Sequence, residues 1–418
     1  MSATYAPEVE EQRAEAETAV VQAERLVAGG SVLARRDDGR IVLVEGALPG
    51  ERAEVAVSTR RGADQGTVVR IVEASPDRID PVCPHVADGC GGCDLAHLAV
   101  DAQVPAKVAL VTDALRRLGR WSEPVVRSGP PLDPWAFRTS MRLAVTAGRA
   151  GLHRAGTNDV VGLDHCLVAH PRLDELIHDG DFAGAREVTL RVGAVTGERL
   201  ALVTPDRAEV RLPDDVLVIG ADELARGKRA WFHDEVAGRR WRVSASSFFQ
   251  TRPDGAEALV AVVRAQLADV LDGADPDRPS TLVDAYSGVG LFTGSLLADR
   301  PGWRALCAEH SRAAVADARV NLADLDAKIV ATTVERLRAP RADAVVADPS
   351  RTGLGRQGAD ALVGTAAPRI VLVSCDPAAA GRDTALLTER GYAPIESVVV
   401  DLFPHTHHTE TVTRFDRV

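Results

Sequence analysis

Apolar and polar residues alternate in short runs near the start of the chain. Ser31-Val32-Leu33-Ala34, Ile41-Val42-Leu43-Val44, Ala53-Glu54-Val55-Ala56-Val57 and Gly66-Thr67-Val68-Val69-Arg70-Ile71-Val72 follow one another closely, with Asp38-Gly39 and Leu48-Pro49-Gly50 between them. Period-two alternation broken by turn residues predicts strands, and several short strands between residues 21 and 76 predict a small antiparallel barrel of the OB kind. Ahead of it, residues 1–20 are rich in Glu and Ala with little apolar periodicity, which predicts a frayed helix or disordered tail.

The pattern then changes twice. Residues 77–245 read as a mixed α+β central region, with a helix from Val104 to Leu118 and strands around Met141–Val145 and Leu200–Val203. Further on, strand and helix patterns alternate: Thr281–Ala285, Leu291–Leu297, Arg304–Glu309, Arg312–Leu322, Lys328–Thr333, Ala344–Ala347, Arg369–Ser374 and Ala378–Arg390. Such alternation over residues 246–418 predicts a parallel α/β sheet with helices on both faces, which Val398–Leu402 and Thr411–Phe415 would close as a hairpin.

A length of 418 residues suits two to four domains. No apolar stretch is long enough to span a bilayer, and the N-terminus carries glutamates where a signal peptide is basic and apolar, so a cytoplasmic protein with no membrane partner is expected. The net charge of −11 argues weakly against a nucleic-acid partner. Between Val21 and Arg78, however, nine arginines balance nine acidic residues. Only three lysines occur in the chain, so arginine, whose planar fork suits phosphate, carries nearly all positive charge.

Candidate chemistry gathers in the C-terminal half. In Asp284-Ala285-Tyr286-Ser287-Gly288-Val289-Gly290, Gly288 and Gly290 allow a tight turn and close approach of a ligand after a strand, and Glu309 ends the next strand, where a carboxylate can accept from ribose hydroxyls. Those features suit either a dinucleotide or S-adenosylmethionine; Gly294 falls one residue off the dinucleotide spacing. Cys375, in Val373-Ser374-Cys375-Asp376-Pro377, sits at the mouth of a strand before a helix, where a thiol pKa can be lowered. Glu410 ends Phe403-Pro404-His405-Thr406-His407-His408-Thr409-Glu410, and the pair suits a reaction needing a nucleophile and a base. His405, His407 and His408 suggest a structured hairpin, with zinc the alternative. Cys83, Cys90 and Cys93, with Cys166 as a fourth thiol, have spacing that permits zinc, a [4Fe-4S] cluster or, in another compartment, disulfides, whereas Cys307 reads as core packing. Arg138 and Arg142 lie four apart and so share a face, with Trp135 and Phe137 beside them as possible stacking partners for bases.

These motifs together resemble the RNA uracil-5 methyltransferases, which make 5-methyluridine, and the resemblance runs from about residue 21 to the C-terminus. It implies a C-terminal Rossmann-like class I methyltransferase domain and an N-terminal TRAM barrel that binds RNA, carried by Pro49-Gly50-Glu51-Arg52 and Ser75-Pro76-Asp77-Arg78. It implies an S-adenosylmethionine pocket of Gln250, Tyr286, Gly288, Gly290, Glu309, Thr333 and Asp348, with Cys375 as nucleophile and Glu410 as base. It also favours [4Fe-4S] over zinc at Cys83, Cys90, Cys93 and Cys166. The chain departs from the family pattern at Arg252, Leu291, Thr333 and Ser350, and Asp376 replaces an asparagine beside the nucleophile; that charge would oppose thiolate formation and call for an arginine such as Arg351. The expected substrate is RNA, with 23S rRNA favoured over tRNA by the barrel and cysteine cluster, and no obligate protein partner is implied. The rival readings are a purine amino-group methyltransferase, which would not need Cys375 and Glu410, and a catalytically silent RNA-binding factor.

Overall fold

The computed structural model describes residues 17–60, 62–273 and 278–418. Strand β1 (Glu17–Leu26) opens the chain, so residues 17–20, expected in the tail, are strand; residues 1–16 lie outside the described residues. It is joined by β2 (Val32–Arg36), β3 (Ile41–Glu45), β4 (Arg52–Arg60) and β5 (Ala63–Glu73) in a closed barrel of order β1-β2-β3-β5-β4. The alternation seen in the sequence is its inside and outside: Val21, Ala23, Val32, Ala34, Val42, Val44, Ala53 and Val55 are buried. Glu51 is buried too, and Arg78 satisfies it through bonds of 2.5 and 2.7 Å.

The chain separates into two compact units. One holds the barrel through Val82 together with Cys93–Ala106 and His405–His407; the other holds Cys83–Gly92, Lys107–Pro404 and His408–Val418. Helix α1 (Val100–Arg117) starts four residues before the expected Val104, and β6 (Val126–Ser128) follows.

Within the second unit, β7 (Ser140–Thr146), β8 (Arg149–His153), β9 (Val160–Gly162), β10 (Glu187–Val192), β11 (Arg199–Thr204) and β12 (Val216–Gly220) form a six-stranded sheet, against which α2 (Pro171–Asp179) buries Leu173, Leu176 and Ile177. After the short α3 (Ala221–Ala225), β13 (Trp231–Val236) and β14 (Arg239–Ser244) make a hairpin, and α4 (Pro253–Asp272) leads into the last region.

There β15 (Ser280–Ala285), α5 (Leu291–Leu297), β16 (Trp303–Glu309), α6 (Arg312–Asn321), β17 (Ala327–Ala331), β18 (Ala344–Ala347), α7 (Gly355–Gly364), β19 (Arg369–Ser374), α8 (Pro377–Thr388), β20 (Tyr392–Val400) and β21 (Glu410–Arg417) alternate as the sequence predicts. Every residue of β15 and β19 is buried, because each sheet face carries its own apolar layer. The sheet order is β17-β16-β15-β18-β19-β21-β20-β6, with β21 antiparallel to β19. The order reverses direction between β15 and β18. In an open α/β sheet that switch point opens a ligand crevice at the carboxyl ends of the strands.

Candidate active site

Most of the residues singled out in the C-terminal half lie along that carboxyl edge. Tyr286, Gly288 and Gly290 follow β15, Glu309 ends β16, Thr333 follows β17, Asp348 follows β18 and Cys375 follows β19. Glu410 joins them because β21 runs the other way. Ser374 pairs with Thr411, so the register carried one step further sets Cys375 opposite Glu410.

The turn after β15 holds a conformation that few side chains adopt: φ is +64° at Tyr286, +56° at Gly288 and +97° at Gly290. Glu309 fastens it, accepting from the amide of Gly288 at 3.0 Å with one oxygen and from the amide of Ser311 at 2.6 Å with the other. The Ser287 hydroxyl beside it is buried without a hydrogen-bond partner. Thr333 is exposed and lines an open groove with Glu335, Leu337, Leu354 and Gly355. Gln250 is buried just beyond a segment moored by Asp317, which accepts from the Ser244 amide and hydroxyl at 2.8 Å each and from the Ser247 hydroxyl at 2.6 Å.

The electrostatics of the edge are dominated by buried acids. Burial, with the Asp284 charge adding to it, pushes the Asp348 carboxyl up to about 7. Asp284 itself is pushed up to about 6 by burial, against hydrogen bonds from the Thr293 amide and hydroxyl. Glu410 is raised well above the usual carboxylate range by burial and by Asp348, while Arg351 opposes the rise. One of its oxygens has no hydrogen-bond partner. Cys375 is half-buried, and burial, Glu410 and Asp348 push its thiol up to about 12, again opposed by Arg351. A thiol, two carboxyls and one guanidinium thus act on one another at the strand ends.

No family model matches the chain. Curated relatives do. An uncharacterized RNA methyltransferase of Streptomyces avermitilis is 34% identical over 418 residues, 92% of this chain and 94% of that protein. The 23S rRNA (uracil(1939)-C(5))-methyltransferase RlmD of Methylococcus capsulatus is 33% identical over 422 residues, 91% of this chain and 93% of that one. The chain belongs to the RNA uracil-C5 methyltransferase family. The Pyrococcus abyssi tRNA (uracil-54, C5)-methyltransferase, solved with S-adenosyl-L-homocysteine, shares the fold at a TM-score of 0.70 and 23% identity, over 95% of this chain and 99% of that one.

As an S-adenosylmethionine-dependent RNA methyltransferase, the protein has a crevice whose features suit that cofactor: a fastened glycine turn, an orphaned buried hydroxyl and an adjoining open groove. Around the thiol, the structure adds one role. The Asp376 carboxylate accepts from the Ala379 amide at 2.7 Å and caps α8, and the largest influences holding the proton on the thiol are burial, Glu410 and Asp348.

Other predicted residues fall elsewhere in this methyltransferase. Arg138 precedes β7, bonding from Nε to the carbonyl of Ser140, whereas Arg142 lies within β7 and pairs with Glu187 at 2.6 Å, so their spacing is not that of one regular strand. Phe137 is buried and its ring is covered by the Arg252 guanidinium at 4.3 Å, which leaves no open face for a base. Arg252, at an asparagine position of the family pattern, is itself buried and paired with Asp254. His405 bonds Gln103 and His407 bonds Asp94, while His408 packs edge-on to Phe403 at 6.0 Å. Cys307 is core packing within β16.

The four cysteines are half-buried. Within the second unit, burial pushes the thiols of Cys90 and Cys166 up and Cys83 adds to the rise, while the backbone amides of Gly92 and of Val168 and Ala169 oppose it. Among the described residues, however, no three His, Cys, Asp or Glu side chains are gathered closely enough to hold a metal. Four thiols are donors of the right chemistry for an iron-sulfur cluster. Likewise, no helix among the described residues is long and apolar enough to cross a membrane.

Sequence reasoning missed Asp284, Asp317 and Asp383. Asp317 and Asn321 stand four apart on the buried face of α6, and a polar pair on an apolar stripe is the signal that could have found them.

Proposed function

We propose that this enzyme methylates carbon 5 of a uridine in structured RNA, with 23S rRNA the favoured substrate and tRNA the alternative. The convergence of Cys375, Glu410, Asp348 and Arg351 carries the reading, since an amino-group methyltransferase has no use for a thiol opposite a base. Gln250, Tyr286, Gly288, Gly290, Glu309, Thr333 and Asp348 would hold S-adenosylmethionine, which supplies an electrophilic methyl group for carbon 5. Residues 21–76 would be a TRAM-like RNA-binding domain, residues 77–245 a central domain and residues 246–418 the methyltransferase domain. Arg138 and Arg142 would contact RNA.

Carbon 5 of uracil is a poor nucleophile. Cys375 gives its proton to solvent, and its sulfur adds to carbon 6; the electrons of the 5,6 double bond move toward the carbonyl at carbon 4, and carbon 5 becomes enolate-like. Burial and the two carboxyls disfavour the thiolate while Arg351 favours it, so the attacking species forms against its surroundings and is correspondingly nucleophilic. Once carbon 5 carries its new methyl group, Glu410 as carboxylate takes the remaining proton there. The electron pair of that C–H bond re-forms the 5,6 double bond, and the C–S bond breaks to return the thiolate. The raised proton affinity of Glu410 makes it a stronger base in its ionised form.

The four cysteines Cys83, Cys90, Cys93 and Cys166 would bind a [4Fe-4S] cluster with a structural or RNA-positioning role, a reading supported by their spacing. Mapping 5-methyluridine in ribosomal and transfer RNA from cells with and without this gene tests the proposal. One site lost from 23S rRNA is the expected result; methylated purines lost instead would replace it with the amino-group reading.

A further inference from the structure

Arg351 eases the ionisation of both Cys375 and Glu410, so what holds it matters. It lies in a tight turn after β18: the Gly353 amide donates to the Ser350 carbonyl at 2.9 Å, the Ser350 and Thr352 hydroxyls bond at 3.0 Å, and Gly353 has φ +80°. The far end of that turn is gripped by a buried carboxylate. Asp383 accepts from the Leu354 amide at 2.8 Å with one oxygen and from the Gly355 amide at 3.3 Å with the other. Packing there is close enough that a methyl group on Gly353 would stand 2.4 Å from Asp383 Oδ2. Asp383 sits on α8, the helix that starts at Pro377, two residues after Cys375.

We propose that Asp383 is a positioning residue: by clamping the two amides that end the Arg351 turn, it ties the turn that bears the guanidinium to the helix that follows the nucleophile. The inference rests on the covalent reading of Cys375. A buried carboxylate is costly unless it is hydrogen-bonded, and Asp383 is pushed upward by burial while these two amides favour its ionised form. A neutral serine or asparagine could cap α7 as well, but only an ionised acceptor binds both amides strongly, which fixes the turn in one place. The largest charged influences on Cys375 are Glu410, Asp348 and Arg351, so any direct field of Asp383 at the thiol is weaker than theirs. Its main effect on the thiol is therefore through the position of Arg351.

The test uses the full-length protein and reads the rate at which iodoacetamide alkylates Cys375 near neutral and mildly alkaline pH, by mass spectrometry of the Cys375 peptide. Arg351→Gln is expected to slow alkylation roughly tenfold, as loss of a neighbouring cation raises a thiol pKa by about a unit. Asp383→Asn is expected to slow it about threefold, and to add nothing in the Arg351→Gln background. The sign is diagnostic, because removing the Asp383 negative charge would by itself favour the thiolate and speed the reaction. Gly353→Ala, which pushes on the same carboxylate from the turn side, is expected to act like Asp383→Asn and serves should that variant not fold. Unchanged or faster alkylation in folded Asp383→Asn or Gly353→Ala overturns the proposal, as does an additive effect in the double variant or no effect of Arg351→Gln. Failure of the covalent reading shows separately, as an RNA adduct that survives Cys375→Ala.

Discussion

Glu309 accepts from the backbone amide of Gly288 at 3.0 Å, so the acid that ends one strand is fastened to the glycine turn that ends its neighbour. Its other oxygen holds the Ser311 amide at the start of α6. A carboxylate expected to meet ribose hydroxyls thus also shapes the turn that a cofactor would approach.

Replacing Glu309 by Ala leaves two amides without their acceptor, at about 1 kcal/mol each. S-adenosylhomocysteine should then bind at least roughly tenfold more weakly by titration calorimetry. Glu309→Gln, which keeps one acceptor, should lose less. Equal affinity in wild type and Glu309→Ala would remove Glu309 from the pocket.

Asp376 caps α8, and asparagine caps a helix as well as aspartate does. Asp376→Asn should leave thermal stability and the alkylation rate of Cys375 nearly unchanged, whereas Asp376→Ala should cost about 1 kcal/mol in denaturant melts. A strong acceleration of alkylation in Asp376→Asn would restore its charge as the brake on the thiol.

Much of this was legible beforehand for a physical reason. Buried parallel strands are short apolar runs between turn residues, and Ala344–Ala347 and Arg369–Ser374 follow the sequence pattern residue for residue. Cys375 and Glu410 were named from motifs, but their juxtaposition comes from the antiparallel register of β19 and β21, which periodicity does not encode. The capping role of Asp376 comes from the way its side chain meets the first turn of α8, which a sequence neighbour of the thiol does not reveal by itself. Phe137 could be read either as a base-stacking or as a core ring, and what decides for the core, the Arg252 guanidinium over it, lies far along the chain.

Asp348 gives the fold a pH signature. Its carboxyl is raised in the folded state to about 7, so the folded protein holds a proton that the unfolded chain has already released above the ordinary aspartate range. Its contribution to stability is fully present below about pH 4 and is lost as pH rises through about 7. Urea melts of wild type and Asp348→Asn across that window should show the variant gaining on wild type as pH rises. A constant difference would mean that the carboxyl titrates normally.

Protein purified without oxygen should be brown and contain about four iron atoms and matching sulfide per chain, lost when Cys83, Cys90, Cys93 or Cys166 is changed to Ser. Stoichiometric zinc without sulfide would reject the [4Fe-4S] assignment.

The central claim is that Cys375 adds to the base and that Glu410 releases it. RNA carrying 5-fluorouridine at the methylated position tests this most directly, because fluorine cannot leave as a proton and the adduct persists. With labelled RNA and S-adenosylmethionine, denaturing electrophoresis should show a protein–RNA band for wild type and none for Cys375→Ala. Glu410→Gln should trap even unmodified RNA, methylated but unreleased. A covalent band, or full turnover, from Cys375→Ala would contradict the account.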